Sequence, residues 1–139
     1  MEVKFYRCRH CGNVVQKLVD SGVPVVCCGE PMEELSANTV DASQEKHVPH
    51  VTRIDNETIR VQVGSDPHPM TPDHHICFIY VVAGRRGIFI DLRGKEVAET
   101  IVKLCSPKTC VSNCRAQNPK PITVYEYCNL HGLWKTTLE

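Results

Sequence analysis

The sequence lacks the features that define three broad classes of protein. Its 16 basic and 16 acidic residues cancel, so it offers no general attraction for nucleic acid. No apolar run approaches the roughly 20 residues that a membrane-spanning helix needs. The opening Met-Glu-Val-Lys-Phe has neither the basic segment nor the apolar segment of a secretory signal peptide. We therefore expect a cytoplasmic protein that binds neither nucleic acid nor a membrane.

Cysteine, by contrast, is abundant, with nine residues in a chain of 139. In a reducing compartment, closely spaced cysteines indicate metal sites more often than a disulfide framework. The length accommodates one ordinary domain, or a small module followed by a domain of roughly 100 residues. We expect the second arrangement, with a metal module at residues 1–36 and a larger domain at residues 37–139.

The N-terminal cysteines form a Cys8-x2-Cys11 knuckle and an adjacent Cys27-Cys28 pair, with short strands predicted at 13–19 and 23–26. Four thiolates suit a tetrahedral site, and both zinc and iron accept such ligands. A module of this size cannot bury enough apolar area alone, so metal binding has to supply folding free energy. Zinc ribbons usually carry a second C-x2-C instead of neighbouring cysteines. The stretch resembles the iron centre of desulforedoxin.

The larger domain shows many short apolar segments separated by turn residues, which is typical of an antiparallel β-sandwich. Residues 97–105 are compatible with either a helix or a strand. Strands are predicted at residues 51–54, 58–63, 76–83, 87–92 and 122–127.

A second metal site is indicated near the C-terminus by Cys128 and His131, which lie where an apolar run ends at a turn. A strand followed by a tight turn would direct both side chains to one point. His47, His68 and His74 lie upstream in short loops, where they are available to complete a coordination sphere.

The order Glu45-Lys46-His47-Val48-Pro49, His68-Pro69-Met70, His74 and Cys128-x2-His131, behind the N-terminal cysteines, resembles desulfoferrodoxin, the two-iron form of superoxide reductase. The resemblance covers residues 1–82 and 122–135. It implies an immunoglobulin-like β-sandwich, a homodimer and two irons per chain. One iron would be bound by Cys8, Cys11, Cys27 and Cys28. The catalytic iron would be bound by His47, His68, His74 and His131, with Cys128 as the axial ligand.

The same resemblance implies one-electron reduction of superoxide to hydrogen peroxide, with the electron supplied by a rubredoxin-like donor. The four-cysteine iron would relay the electron or hold a dimer together. Lys46 would attract superoxide and orient a proton-donating water, and Glu45 would be a mobile carboxylate that approaches the iron. Backbone amides of Asn129 and Leu130 would hydrogen-bond the Cys128 sulfur.

Two alternatives remain. A cupredoxin-like copper site also uses a Cys-x2-His turn on a β-sandwich, but it requires two histidines and a weak axial methionine, and no methionine follows His131. A non-catalytic zinc-binding interaction module would account for the N-terminal cysteines alone.

Residues 84–120 depart from the family pattern and carry Cys105, Cys110 and Cys114. A third metal site, a disulfide and free thiols all remain open for these cysteines. Cys77 lies in an apolar run and is expected to be a buried small hydrophobic residue.

Overall fold

The structure is a computed structural model that describes residues 3–104 and 121–139. It divides into two compact units, Met1–Ser36 and Ala37–Glu139. No helix in the described ranges is long and apolar enough to cross a membrane.

The first unit contains only very short strands. A three-stranded antiparallel sheet has the order β2-β1-β5, and a separate two-stranded ladder joins β3 to β4. Phe5 and Met32 are its buried apolar side chains besides Cys8, whereas Leu18 and Val19 are 84% and 90% exposed. The unit therefore has little apolar core of its own. Its strands are β1 (Phe5–Arg7), β2 (Val14–Gln16), β3 (Val26–Cys27), β4 (Glu30–Pro31) and β5 (Glu33–Glu34).

The second unit consists of two antiparallel sheets. The elements are α1 (Gln44–His47), β6 (Pro49–Arg53), β7 (Thr58–Val63), β8 (Ile76–Ala83), β9 (Arg86–Asp91), β10 (Glu99–Lys103), β11 (Ile122–Cys128) and β12 (Gly132–Leu138). One sheet has the order β10-β7-β6, and the other has the order β12-β11-β8-β9.

The core of the second unit is formed by alternate side chains of the central strands. Because successive residues of a strand face opposite sides, one side of each strand supplies the buried aliphatic residues. They include Ile59, Val61 and Val63 of β7, Ile79, Val81 and Ala83 of β8, and Ile122 and Val124 of β11.

The predicted fold class, a mainly β chain with a small cysteine module and an antiparallel β-sandwich, is confirmed. The ambiguous segment 97–105 contains a strand, because β10 pairs with β7 along its whole length. The sequence analysis did not predict α1 or β12. Cys77 is partly exposed rather than fully buried. Cys105, Cys110 and Cys114 lie outside the described residues.

Candidate functional site

Five predicted ligands of the second unit come from five separate places in the fold. His47 ends α1, His68 lies in the loop after β7, and His74 lies just before β8. Cys128 ends β11, and His131 lies in the turn between β11 and β12. The structure brings these residues together, with the five donor atoms all within 4.8 Å of one another.

The four imidazole rings stand at the corners of a square. Neighbouring ring centroids are 4.8 Å apart for His47–His68, 4.6 Å for His68–His74, 5.0 Å for His74–His131 and 4.7 Å for His131–His47. The diagonal from His47 to His74 is longer, at 6.4 Å. Neighbouring planes cross at 72–81°, so each ring turns an edge toward the centre.

The donor atoms in this square are too close together to be stable without a cation. Nδ1 of His47 donates to the carbonyl of Ser43, and Nδ1 of His68 donates to the carbonyl of Pro69, each at 2.7 Å. The Nε2 atoms of both rings therefore carry lone pairs, yet they face each other at 3.3 Å. Two lone pairs at this distance repel unless a positive ion lies between them. The residues present therefore fit a metal.

The remaining distances agree with this conclusion. Nε2 of His47 lies 3.0 Å from Nδ1 of His131, which is the spacing of adjacent ligands when metal–nitrogen bonds are about 2.1 Å long. The Cys128 sulfur lies 3.5 Å from Nε2 of His68 and 3.7 Å from Nδ1 of His131. Nε2 of His74 is buried and has no hydrogen-bond partner in the described residues.

Burial favours the neutral, metal-binding form of His47, His68 and His74. Desolvation lowers the pKa of His47 and His74, and it lowers the pKa of His68 to about 4. Trp134 is 1% exposed, and its ring stacks on His47 at a centroid distance of 5.1 Å. This contact places Trp134 against the site.

The Cys128 sulfur is fully buried, and burial raises the pKa of its thiol to about 11. Backbone N–H groups of Leu130 and His131 act in the opposite direction and favour the thiolate. The expectation for Asn129 was wrong, because its N–H donates to the carbonyl of His75 at 3.1 Å. Because the chain turns after Cys128, the N–H groups that face the sulfur are those of Leu130 and His131, which follow Asn129. A bound cation would favour the thiolate further.

Glu45 and Lys46 lie on α1 immediately before His47, and both side chains are exposed. Desolvation is the main cause of the lowered pKa of His47 and His74, and the Lys46 ammonium adds a smaller electrostatic effect in the same direction on both rings. The Glu45 carboxylate accepts a hydrogen bond from the Ser43 hydroxyl at 3.0 Å.

The backbone of Glu45 and Lys46 is held by the loop that follows β7. The Asp66 N–H donates to the Glu45 carbonyl at 3.0 Å. Gly64 has φ +78°, and a Cβ there would lie 2.5 Å from the Glu45 carbonyl oxygen. Only glycine permits this close approach, which joins the Glu45–Lys46 segment to the loop that carries His68.

Two other histidines lie beside ligands but outside the group of donor atoms. His75 follows His74 directly, and its Nδ1 faces the Thr71 carbonyl at 3.0 Å. His50 is exposed on β6. The resemblance predicted His74 as a ligand, and the structure places His74, and not His75, in the group of donor atoms.

A second group of donors consists of Cys8, Cys11, Cys27 and Cys28, whose sulfurs also lie within 4.8 Å of one another. The sulfurs of Cys11 and Cys27 are 3.6 Å apart, close to the roughly 3.8 Å edge of a tetrahedron with 2.3 Å metal–sulfur bonds. The side-chain amide of Asn13 donates to the Cys27 sulfur at 3.6 Å. This group therefore fits a tetrahedral metal ion.

The pKa values of these thiols also indicate that a cation is needed for all four to ionise. Backbone N–H groups of Cys11 and His10 lower the pKa of Cys8 to about 6. Hydrogen bonds with Cys8 and Cys11 raise the pKa of Cys28 to about 12. Four thiols this close cannot all ionise together unless a metal compensates their charge.

The adjacent cysteine pair requires an unusual backbone. Cys28 has φ +52°, in the left-handed region that costs a non-glycine residue about 1–2 kcal/mol. Glycine with positive φ follows both the knuckle and the pair, at Gly12 and Gly29. His10 lies outside the sulfur group, with its Nε2 3.0 Å from a Glu30 carboxylate oxygen.

The sequence analysis missed a buried acid, Glu126, on β11. Its side chain is 0% exposed, and neither carboxylate oxygen has a hydrogen-bond partner in the part of the chain that the structure describes. Trp134 and Ile79 lie opposite it on the neighbouring strands. Burial raises the pKa of Glu126 well above its ordinary value, so the neutral acid is the stable form in the fold. The burial of Glu126 could have been predicted from the alternation of buried and exposed residues along a strand, because Glu126 shares a face of β11 with Val124 and Cys128.

The raised pKa of Glu126 predicts that this residue makes folding pH-dependent. Above about pH 4.5 the unfolded chain loses a proton that the folded chain keeps, so stability falls as pH rises toward the folded pKa. We expect the free energy of unfolding of Glu126→Gln to rise relative to that of the wild type by up to about 1.4 kcal/mol per pH unit over this window. Urea denaturation of both proteins at a series of pH values measures the difference.

A matched control for that experiment is Glu99→Gln. Glu99 lies on β10 and is hydrogen-bonded to Arg60, which lowers the pKa of the carboxyl. The free energy of unfolding of Glu99→Gln should not rise relative to that of the wild type as the pH increases. Parallel curves for Glu126→Gln and wild type across the same pH range would contradict the prediction.

Comparisons with known proteins cover almost the whole chain. The desulfoferrodoxin family model matches residues 39–137, and the model of the desulfoferrodoxin N-terminal domain matches residues 1–35. The first range includes residues 84–120, in which the sequence analysis found no likeness to the family.

Two curated relatives and one solved structure are similar over nearly their full lengths. The desulfoferrodoxin of Syntrophotalea carbinolica is 38% identical over 135 residues, which are 97% of this chain and 96% of the relative. The desulfoferrodoxin of Clostridium acetobutylicum is 39% identical over 99% of this chain and 98% of its own. The superoxide reductase from Treponema pallidum has a TM-score of 0.71 and 27% identity, with 98% of this chain and 99% of that chain covered.

Proposed function

Because this chain belongs to the desulfoferrodoxin family, we propose that it is a superoxide reductase whose catalytic iron is bound by four histidines and one cysteine. Each turnover consumes one superoxide, one electron and two protons and yields one hydrogen peroxide. The observation that supports this most strongly is the square of four imidazoles with a buried cysteine sulfur beside it. The proposed ligands are His47, His68, His74, His131 and Cys128.

When bound, the iron supplies the electron, and the protein controls its surroundings. The neutral imidazoles and single thiolate offset only part of a ferrous ion's charge, so an anion is attracted to the centre. Carbonyl groups of Ser43 and Pro69 fix the rings of His47 and His68 in the tautomer that leaves Nε2 free. The N–H groups of Leu130 and His131 hydrogen-bond the Cys128 thiolate and so limit the electron density that the sulfur donates to the metal.

We assign Lys46 to the approach of superoxide and Glu45 to the exchange of ligands at the proposed centre. The support for Lys46 is its exposed ammonium within electrostatic range of His47 and His74. The proposed role of Glu45 rests on its position next to Lys46 and on its exposure, since an exposed carboxylate held by the Ser43 hydroxyl can exchange that hydrogen bond for the metal.

The charge of Lys46 should matter for the rate of encounter with superoxide. We expect Lys46→Ala to lower the second-order rate constant for superoxide about tenfold and to weaken its dependence on ionic strength. Pulse radiolysis at several salt concentrations measures both quantities. Lys46→Arg keeps the charge and should retain most of the rate. Equal rate constants for Lys46→Ala and wild type at low salt would refute the assignment.

For the N-terminal unit we propose a desulforedoxin-like iron module at residues 1–36, with a catalytic domain at residues 37–139. Cys8, Cys11, Cys27 and Cys28 would bind its iron, which would relay electrons from a rubredoxin-like donor or hold a homodimer together. The dimer is supported by exposed apolar side chains of this unit, Leu18, Val19, Val23 and Val26. We also propose a cytoplasmic location, which agrees with the absence of disulfides among the described cysteines.

The proposed activity is tested by product stoichiometry. The protein is purified anaerobically, its iron and zinc are counted, and superoxide pulses are applied to the ferrous form. A reductase yields one hydrogen peroxide for each superoxide and no oxygen, whereas a dismutase yields half as much peroxide together with oxygen. A protein with zinc but no iron, or one that releases oxygen at the dismutase ratio, would overturn the proposal.

A further inference from the structure

The turn that carries Cys128 is joined to the loop that carries His74 by a single residue, Asn129. Its Nδ2 donates to the carbonyl of Asp73 at 2.9 Å, and its Oδ1 accepts from the N–H of His75 at 2.9 Å. Its own backbone N–H donates to the carbonyl of His75 at 3.1 Å. The three hydrogen bonds therefore hold the residues on both sides of His74 against the residue that follows Cys128.

This connection lies at the end of the β8–β11 ladder. Strands β8 and β11 pair regularly up to Tyr127, the register shifts between Tyr127 and Cys128, and Cys128 then pairs with Ile76. A shift of this kind interrupts the ladder and leaves an unpaired residue on one strand. The pairing ends at Ile76, two residues beyond His74, so the contacts of Asn129 extend the connection from Cys128 to the residues on both sides of His74.

The other hydrogen bonds of the His74 loop within the described residues join residues 70–71 to residues 74–76. Thr71 N–H donates to the His74 carbonyl at 2.9 Å, and the Thr71 hydroxyl oxygen accepts from the His74 N–H at 3.1 Å. These bonds close the loop on itself but do not tie it to Cys128. Asn129 supplies that tie.

We propose that Asn129 is a positioning residue that sets the His74 nitrogen relative to the Cys128 sulfur. The inference rests on the proposed metal site and adds a residue that acts on it without touching the metal. An asparagine side chain offers a donor and an acceptor together, and the site uses both, one toward Asp73 and one toward His75. Partners that orient metal ligands commonly change metal affinity 10–100-fold when they are removed.

The test uses the iron-loaded full-length protein and the variant Asn129→Ala, which removes both side-chain bonds and keeps the backbone bond. We expect the catalytic iron to be lost to a chelator about tenfold faster or more. We also expect its reduction potential and its thiolate-to-iron absorption band to shift. The spectrum and potential of the four-cysteine centre in the same chain should stay unchanged, which separates a local effect from general destabilisation.

The chain offers a matched control in Asn38, which makes the same three kinds of bond with β12, on the two residues that flank Trp134 and not on a proposed ligand or its loop. Its Nδ2 donates to the Lys135 carbonyl at 3.2 Å, its Oδ1 accepts from the Lys135 N–H at 2.9 Å, and its N–H donates to the Leu133 carbonyl at 3.0 Å. Since Asn38 has φ +62°, alanine there is also strained, so Asn38→Ala should lose at least as much folding stability. Its catalytic iron should nevertheless keep the wild-type potential and release rate.

The inference is overturned if Asn129→Ala keeps the wild-type release rate, potential and band, or if Asn38→Ala changes them equally. Should Asn129→Ala fail to fold, Asn129→Asp keeps the acceptor for His75 and loses the donor to Asp73, and it should shift the same quantities in the same direction. Iron release and potential are measured without superoxide. A failure of the proposed reductase activity therefore appears in a different experiment from a failure of the positioning role.

Discussion

Replacement of Cys128 by serine is expected to lower the rate of superoxide reduction by at least about 100-fold, since even removal of an indirect partner of a ligand costs 10–100-fold. The Cys128 sulfur lies 3.5 Å from the His68 nitrogen and 3.7 Å from the His131 nitrogen, so it is a direct neighbour of the proposed centre. A serine hydroxyl stays protonated at neutral pH and is a harder, weaker donor than a thiolate. The electron density that favours release of peroxide would be lost with the sulfur.

Two measurements check this prediction. Pulse radiolysis gives the rate of superoxide consumption, and the visible spectrum of the oxidised protein shows whether the thiolate-to-iron band has disappeared. The four-cysteine centre should keep its own spectrum in the variant, because its ligands lie in the other unit.

Cys77→Ser is a closely matched control. Cys77 lies on β8 in the same unit and is not part of either donor group. The chemical change is identical, and we expect both the band and the rate to remain. A Cys128→Ser protein that keeps the band and the wild-type rate would contradict the proposed axial ligand.

Loss of metal from the four-cysteine group is expected to unfold residues 1–36. The strands there are two or three residues long, and the buried apolar side chains are Phe5, Met32 and Cys8 itself. So small a core cannot offset the entropy of ordering the chain, whereas structural metal sites of this type contribute about 10–16 kcal/mol of apparent binding free energy. Metal binding would then be most of the folding free energy of this unit.

A double variant, Cys8→Ser with Cys11→Ser, removes the knuckle without touching the second unit. Amide hydrogen exchange should show full loss of protection in residues 3–36 and retained protection in the strands of residues 37–139. Cys77→Ser again serves as the control and should leave both units protected. Protected amides in β1 and β2 of a metal-free double variant would show that the unit folds without metal.

Much of the candidate site could be predicted from the sequence, because its chemistry is encoded in short spacings. Three motifs each place two donor residues no more than three positions apart in the sequence. They are the C-x2-C knuckle, the adjacent cysteine pair and the Cys128-x2-His131 turn. The alternating apolar segments predicted most of the strands for the same reason, since residues that alternate along a strand share a face. These relations involve neighbours in sequence and do not depend on the rest of the fold.

The tertiary structure alone decided how the distant donors meet. His47 and His131 are separated by 84 residues and Cys128 and His68 by 60, and no local pattern determines contacts over such distances. Segment 97–105 illustrates the same limit. Its apolar positions fitted a helix as well as a strand, and pairing of Glu99–Lys103 with β7 selected the strand.

The residues that the sequence analysis missed share this cause. The contacts of the Asn129 side chain with Asp73 and His75 depend on how β8 pairs with β11, and the burial of Glu126 depends on the strands packed around it. The sequence by itself determined which side chains can bind metal and which segments are extended. Only the folded chain determined which of those side chains meet, because register and packing depend on all the strands at once.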